Sequence, residues 1–219
     1  MWKAFPKIAL WKTMFFIYSI FIITALTSLF SEPLESGLTW HNFYSSLKTV
    51  SKVSIPFLIF IYCLGKWGWL VLWKSPLLGK VVNEALCPNL NGVWAGAIQS
   101  NFPMNKGEVL TKDVQLRIKA DLFGMKIQLE SNDGYQTSKV THFDIHKDPK
   151  TEVFYLTYIY EGYVPIPSEL DDRVYQGAAT LEIIDPSGDA KLKGTYWTNR
   201  AWQRKQNTAG VITLSKVKK

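Results

Sequence analysis

The segment Tyr196-Trp197-Thr198-Asn199-Arg200-Ala201-Trp202-Gln203-Arg204-Lys205 packs aromatic, hydroxyl, amide and cationic side chains into ten positions. Flat aromatic faces stack on nucleobases, and a fixed guanidinium pairs with phosphate, so this mixture suits a bound nucleotide. In an extended strand alternate residues share a face. If Leu192 points inward, Tyr196 and Thr198 do too, with Arg200 at the mouth. Tyr158 and Tyr160 form a second aromatic pair at a strand end, and Trp94 shares a strand face with Ser100. The candidate ligand-binding residues are therefore Trp94, Tyr158, Tyr160, Tyr196, Thr198, Asn199 and Arg200. A plainer reading stays open, in which the aromatics fill a core and the cations form a solvated rim.

No catalytic constellation accompanies them. The histidines are His41, His142 and His146. His142 and His146 have the i,i+4 spacing of helical metal ligands, but their segment alternates like a strand. Asp171-Asp172 reads as a solvated loop end. Gly-x-Ser-x-Gly and glycine-rich phosphate loops are absent, so binding is expected rather than an enzyme, with no metal and no cofactor. Cys63 and Cys87 sit in dissimilar settings and do not suggest a disulfide.

The formal charge of +7 is concentrated near two apolar runs, on Lys3, Lys7, Lys12, Lys66, Lys74 and Lys80. From Pro88 onward, seventeen basic residues face fifteen acidic ones. That balance argues against a DNA- or RNA-binding face and leaves room for a pocket holding one small anion.

The elements that position the candidates divide sharply. Residues 8–30 and 53–73 are apolar for roughly the 20 residues a membrane-spanning helix needs. They predict a two-helix hairpin within residues 1–75, joined by a loop to about Lys52, with Pro56 in the first turn of the second helix. Basic flanks mark the cytoplasmic side, placing both termini there. A signal peptide over Met1–Ser28 is the alternative; the second run favours two retained helices. Residues 76–88 form a brief amphipathic linker. From residue 89 to 219 the period becomes two, with about eight strands separated by turn signals such as Asn132-Asp133-Gly134 and Asp185-Pro186-Ser187-Gly188. Eight short antiparallel strands predict a small up-and-down β-barrel, wide enough for packed side chains or one small ligand.

Three motifs carry a family resemblance: Asn91-Gly92-Val93-Trp94-Ala95-Gly96, Gly194-Thr195-Tyr196-Trp197-Thr198-Asn199-Arg200, and Gly210-Val211-Ile212. With the order of parts, they resemble the two-transmembrane, β-strand-rich effectors of bacterial cyclic-oligonucleotide-based antiphage signalling systems (CBASS). The resemblance implies a cytoplasmic barrel that binds a cyclic dinucleotide made by a partner nucleotidyltransferase. It also implies ligand-driven homo-oligomerisation, inner-membrane disruption and death of the infected cell. It places Tyr196-x-Thr198-x-Arg200 at the ligand. Trp94 belongs to the family pattern, while Tyr158 and Tyr160 rest on strand faces alone. The alternatives are a calycin-like barrel for an apolar ligand and a membrane-tethered docking module.

Overall fold

The computed structural model describes residues 15–20, 22–23, 40–86, 88–101, 110–169, 171–187, 189–205 and 207–217. They fall into two units, one ending at Leu70 and the other running from Val71 to Lys219. Residues 15–20 and 22–23 are helical; the remainder of the expected first span lies outside the described residues, as does Cys87.

The second helix is longer than its apolar run. α1 (Trp40–Cys63) continues through a π-helical stretch, Leu64–Gly68, into α2 (Trp69–Lys74). The expected loop to Lys52 is therefore corrected: residues 40–52 are already helical, and Pro56 lies inside α1 rather than in its first turn. Residues 41–52 contain neither Gly nor Pro. Nothing there stops a helix, and the fall in polarity marks where it turns apolar rather than where it begins. Ser54–Lys74 is 21 residues long and holds an 18-residue stretch of mean hydropathy 1.8, long and apolar enough to cross a bilayer. Leu58, Ile59, Phe60 and Val71 are exposed along it, apolar surface that a lipid environment would cover.

The linker is short and irregular. α3 (Gly79–Val81) passes into a π-helical turn, Val82–Leu86. Buried Asn83 braces it, donating to the Gly79 carbonyl at 2.6 Å and accepting from Asn89 N–H at 2.7 Å.

Eight strands follow: β1 (Gly92–Ser100), β2 (Leu110–Ala120), β3 (Met125–Ser131), β4 (Thr137–Lys147), β5 (Phe154–Tyr163), β6 (Val174–Ile184), β7 (Lys191–Thr198) and β8 (Ala209–Lys216). Each pairs antiparallel with the next, and β8 returns to β1, so the expected up-and-down barrel closes. His142 and His146 lie on β4, beyond a bulge at Val140/His142. The β3–β4 seam is the shortest, running only from Gln128↔Lys139 to Glu130↔Thr137.

The interior has two unlike halves. Where the chain enters β1, it is filled by aliphatic side chains and one tryptophan: Trp94, Leu116, Leu156, Leu181, Leu192 and Leu214 are fully buried. Asn91 closes this base, donating to the Ala120 carbonyl at 2.9 Å and accepting from Ala120 N–H at 2.6 Å. The Trp94 indole N–H donates to the Leu90 carbonyl at 2.9 Å. Toward the opposite end the same strand faces switch to Tyr, Ser and Thr.

Closure requires strands to approach closely. A Cβ on Gly194 would lie 1.9 Å from the Thr180 carbonyl oxygen, and one on Gly96 would lie 2.1 Å from that of Thr213. Both obstacles are backbone and cannot rotate away. Gly194→Ala is accordingly expected to destabilise the barrel by about 2 kcal/mol or more. Thermal melts followed by circular dichroism check this, and an unchanged midpoint would contradict it.

Candidate ligand-binding site at the open end of the barrel

The polar half of the interior opens as a cavity of ≈ 940 Å³, counting its solvent-exposed mouth. Tyr158 and Tyr160 from β5, Tyr175 from β6 and Tyr196 from β7 line its wall, joined by Tyr135 from the β3–β4 loop.

Three of these rings occupy room left by a glycine directly across the strand pair. Tyr160 faces Gly177, Tyr175 faces Gly162 and Tyr196 faces Gly210. A Cβ on Gly177 would come within 2.5 Å of the Tyr160 ring, on Gly162 within 2.3 Å of the Tyr175 ring, and on Gly210 within 2.9 Å of the Tyr196 ring. The glycines therefore let large rings lie along the wall without filling the lumen.

Burial pushes the phenols of Tyr158, Tyr160 and Tyr196 above their ordinary range, and that of Tyr175 up to about 12. At neutral pH they are uncharged and can donate hydrogen bonds without repelling an anion.

Three loops are locked together at the mouth. The Asp171 carboxylate, in the β5–β6 loop, accepts from Arg200 Nε–H at 2.5 Å and from Arg200 Nη2. It also accepts the Tyr135 hydroxyl at 2.6 Å. Arg200 Nη1 and the Tyr175 hydroxyl both donate to Gln136 Oε1, each at 3.1 Å. The guanidinium lies 5.1 Å from the Tyr175 ring centroid and 5.8 Å from that of Tyr135. The neighbouring Asp172 accepts from Ala201 N–H at 2.6 Å and from Arg204 at 3.0 Å. Burial alone would raise the Asp171 carboxyl; the hydrogen bonds from Arg200 and Tyr135 outweigh it and hold its pKa below the ordinary 3.8. Breaking such a buried pair by removing one partner costs about 3–5 kcal/mol.

A second cation lines the cavity in a different setting. Lys112, from β2, pairs with Asp133 at 3.0 Å and sits 4.6 Å from the Tyr135 ring centroid. These side chains are 31% and 51% exposed, and an exposed pair of this kind contributes about 0–1 kcal/mol.

The structure thus gathers Tyr158, Tyr160, Tyr196, Thr198 and Arg200 around one cavity. Trp94 lies in the packed base, away from it. Asn199 is exposed at the outer surface, its side-chain oxygen accepting Gln176 N–H at 2.7 Å. Thr198 turns its hydroxyl to that of Thr208 at 2.7 Å, bracing the β7–β8 loop. Asp171 is corrected from a solvated loop end: its side chain is 1% exposed and holds Arg200. Sequence reasoning missed Tyr135, Gln136 and Tyr175. Tyr175 was within reach, since it alternates with Gly177, Ala179 and Leu181 along β6; the loop residues carry no periodic signal. Among the described residues, no group of three or more His, Cys, Asp or Glu side chains is placed to hold a metal ion.

A family model described as Cap15, cyclic dinucleotide receptor domain, matches residues 85–216. The chain belongs to this Cap15 family. It is also 35% identical over 173 residues to CD-NTase-associated protein 15 of Escherichia albertii, covering 78% of this chain and 81% of that protein. The family match spans all eight strands and includes every described residue of the cavity wall. The resemblance drawn from the three sequence motifs therefore holds at the level of the receptor domain.

Two predictions follow from the ionisation of the site. Asp171→Asn removes the anion that Arg200 is built around and is expected to cost about 3 kcal/mol or more at neutral pH. Because the native Asp171 pKa is depressed, its contribution is present above pH 3.8 and lost as pH falls through the folded value. Denaturation of both proteins at neutral and acid pH checks this: the gap should narrow below pH 3.8, and a gap independent of pH would contradict it. The buried tyrosines act at the other extreme. Their pKa values are raised above 10.0, so the stability they contribute is complete below pH 10.0 and lost above it. The phenolate absorbance contributed by these buried rings should therefore appear only together with unfolding, and their ionisation in the folded barrel at the ordinary tyrosine pH would refute it.

Proposed function

We propose that the chain is a ligand-gated membrane effector of antiphage defence whose barrel cavity receives a cyclic dinucleotide made by a partner nucleotidyltransferase. The observation that carries this reading is the open, tyrosine-walled cavity inside a Cap15 receptor domain. Uncharged phenols and aromatic faces suit the bases of such a ligand, and a cation on the cavity wall suits its phosphates. The aliphatic half of the barrel is already filled, which supports a polar ligand over an acyl chain.

The helix Ser54–Lys74 supports attachment to the inner membrane. With the first span expected over 8–30, it makes a two-helix hairpin within residues 1–75, both termini cytoplasmic. Residues 76–88 link it to the barrel domain, 89–219. The chain binds and assembles rather than turning over a substrate. Ligand binding favours an oligomer through differential affinity for two states. Assembly of the hairpins then disrupts the bilayer and kills the infected cell. Trp94 and Asn199 serve the barrel's architecture, and Tyr158, Tyr160, Tyr196, Thr198 and Arg200 form or brace the ligand wall.

Full-length protein in detergent, titrated calorimetrically with cyclic di- and trinucleotides, is expected to bind one cyclic dinucleotide selectively. Reconstituted in dye-loaded vesicles, it should release dye only with that ligand. Tyr196→Ala should weaken binding about fivefold or more, the loss expected for one base–aromatic stack, while Tyr196→Phe largely retains it. A folded protein indifferent to the whole panel, or dye release independent of ligand, would overturn the proposal.

A further inference from the structure

Two cations among the described residues line the cavity, and they are held in opposite ways. Arg200 is 10% exposed at its side chain. One edge of its fork is given to Asp171, Nη1 goes to Gln136, and the rings of Tyr135 and Tyr175 stand near it. A phosphate reaching that fork would have to expel a carboxylate which is itself buried and hydrogen-bonded by Tyr135. The positive charge of Arg200 is also already cancelled by Asp171 at contact distance.

Lys112 is also paired with a carboxylate, but both partners are exposed to solvent. Its ammonium is a compact charge on a flexible stem with donors that rotate freely. Its partner Asp133 is exposed, belongs to the β3–β4 turn and does not line the cavity. Exchanging an exposed carboxylate for an incoming phosphate leaves no buried charge unpaired. The β2 backbone need not move, because only the end of the side chain swings. Tyr135 lies beside both cations, its hydroxyl on Asp171 and its ring beneath Lys112. It therefore ties the sealed pair to the exposed one.

We propose that Lys112 is the side chain that engages a phosphate of the bound cyclic dinucleotide, with Asp133 holding it at the rim beforehand, and that Arg200 is a positioning residue sealed by Asp171. This inference rests on the receptor reading given above and assigns its charge recognition to a residue outside the sequence motifs.

The test is affinity of the full-length protein in detergent for cyclic di-AMP, cyclic di-GMP and cyclic GMP–AMP, at low and high salt, using whichever the native chain binds. Lys112→Met should weaken binding by about tenfold or more, the loss expected for a hydrogen bond to a charged group. Lys112→Arg, which keeps the charge, should stay within about threefold of native. The difference between native and Lys112→Met should shrink as salt rises, because the interaction is screened. Asp133→Asn frees Lys112 and should tighten binding by about two- to fourfold. Melting temperatures of the Lys112 and Asp133 variants should stay close to native, which separates these effects from misfolding. Binding by Lys112→Met that matches the native chain overturns the assignment, as does equal loss in Lys112→Arg and Lys112→Met. A native chain that binds none of the panel removes the receptor reading and this inference with it.

Discussion

A buried ion pair organises the open end of this barrel. Asp171 and Arg200 lie on different loops, and their bidentate contact brings those loops together over the lumen. Tyr135 and Gln136 attach a third loop to the same pair. A buried pair is poor evidence for added stability, since each ion has lost water to be there. What it supplies is geometry: removing either partner strands the other, so the mouth has one low-energy arrangement. The ring faces near the guanidinium inherit their positions from it.

A second constraint is room. An eight-stranded barrel is barely wide enough for its own side chains. This one keeps a cavity by setting tyrosine opposite glycine across adjacent strands, as at Tyr160–Gly177 and Tyr175–Gly162. Each ring then covers backbone instead of meeting another side chain. The aliphatic half, with Trp94 bonded to Leu90 and Asn91 bridging to Ala120, supplies the packed base that this open half needs. The division explains how a small domain has both a core and a vacancy. It also accounts for one family motif at each end of the barrel: the Asn91–Gly96 motif closes the base, and Tyr196-x-Thr198-x-Arg200 builds the mouth.

The barrel was legible because period-two alternation is a local signal: Val114, Leu116 and Ile118 announce an inward face without knowledge of their partners. Tyr196 and Thr198 were placed by the same rule from Leu192. Tyr175 obeyed it and was overlooked because no motif drew attention to β6. Asp171 was not legible, since a doublet of acids in a loop resembles solvated surface until its partner, 29 residues away, is known. Gln136 is further still from Arg200. Trp94 was read as a possible ligand contact because strand alternation gives the face of a residue but not its height in the barrel. The start of α1 was misjudged for a related reason, since hydropathy reports environment and Trp40–Lys52 is helical without being apolar.

The account's central claim is that a cyclic dinucleotide sits in the tyrosine-walled half of the barrel. The most direct measurement is photo-crosslinking of an azido-purine cyclic dinucleotide to the full-length protein, with adducts mapped by mass spectrometry and competed by unlabelled ligand. The account predicts competable adducts on the peptides carrying Tyr158, Tyr160, Tyr175 and Tyr196. Competable adducts confined to the packed base around Trp94, to the outer surface of the barrel, or to the helix Ser54–Lys74 would contradict it.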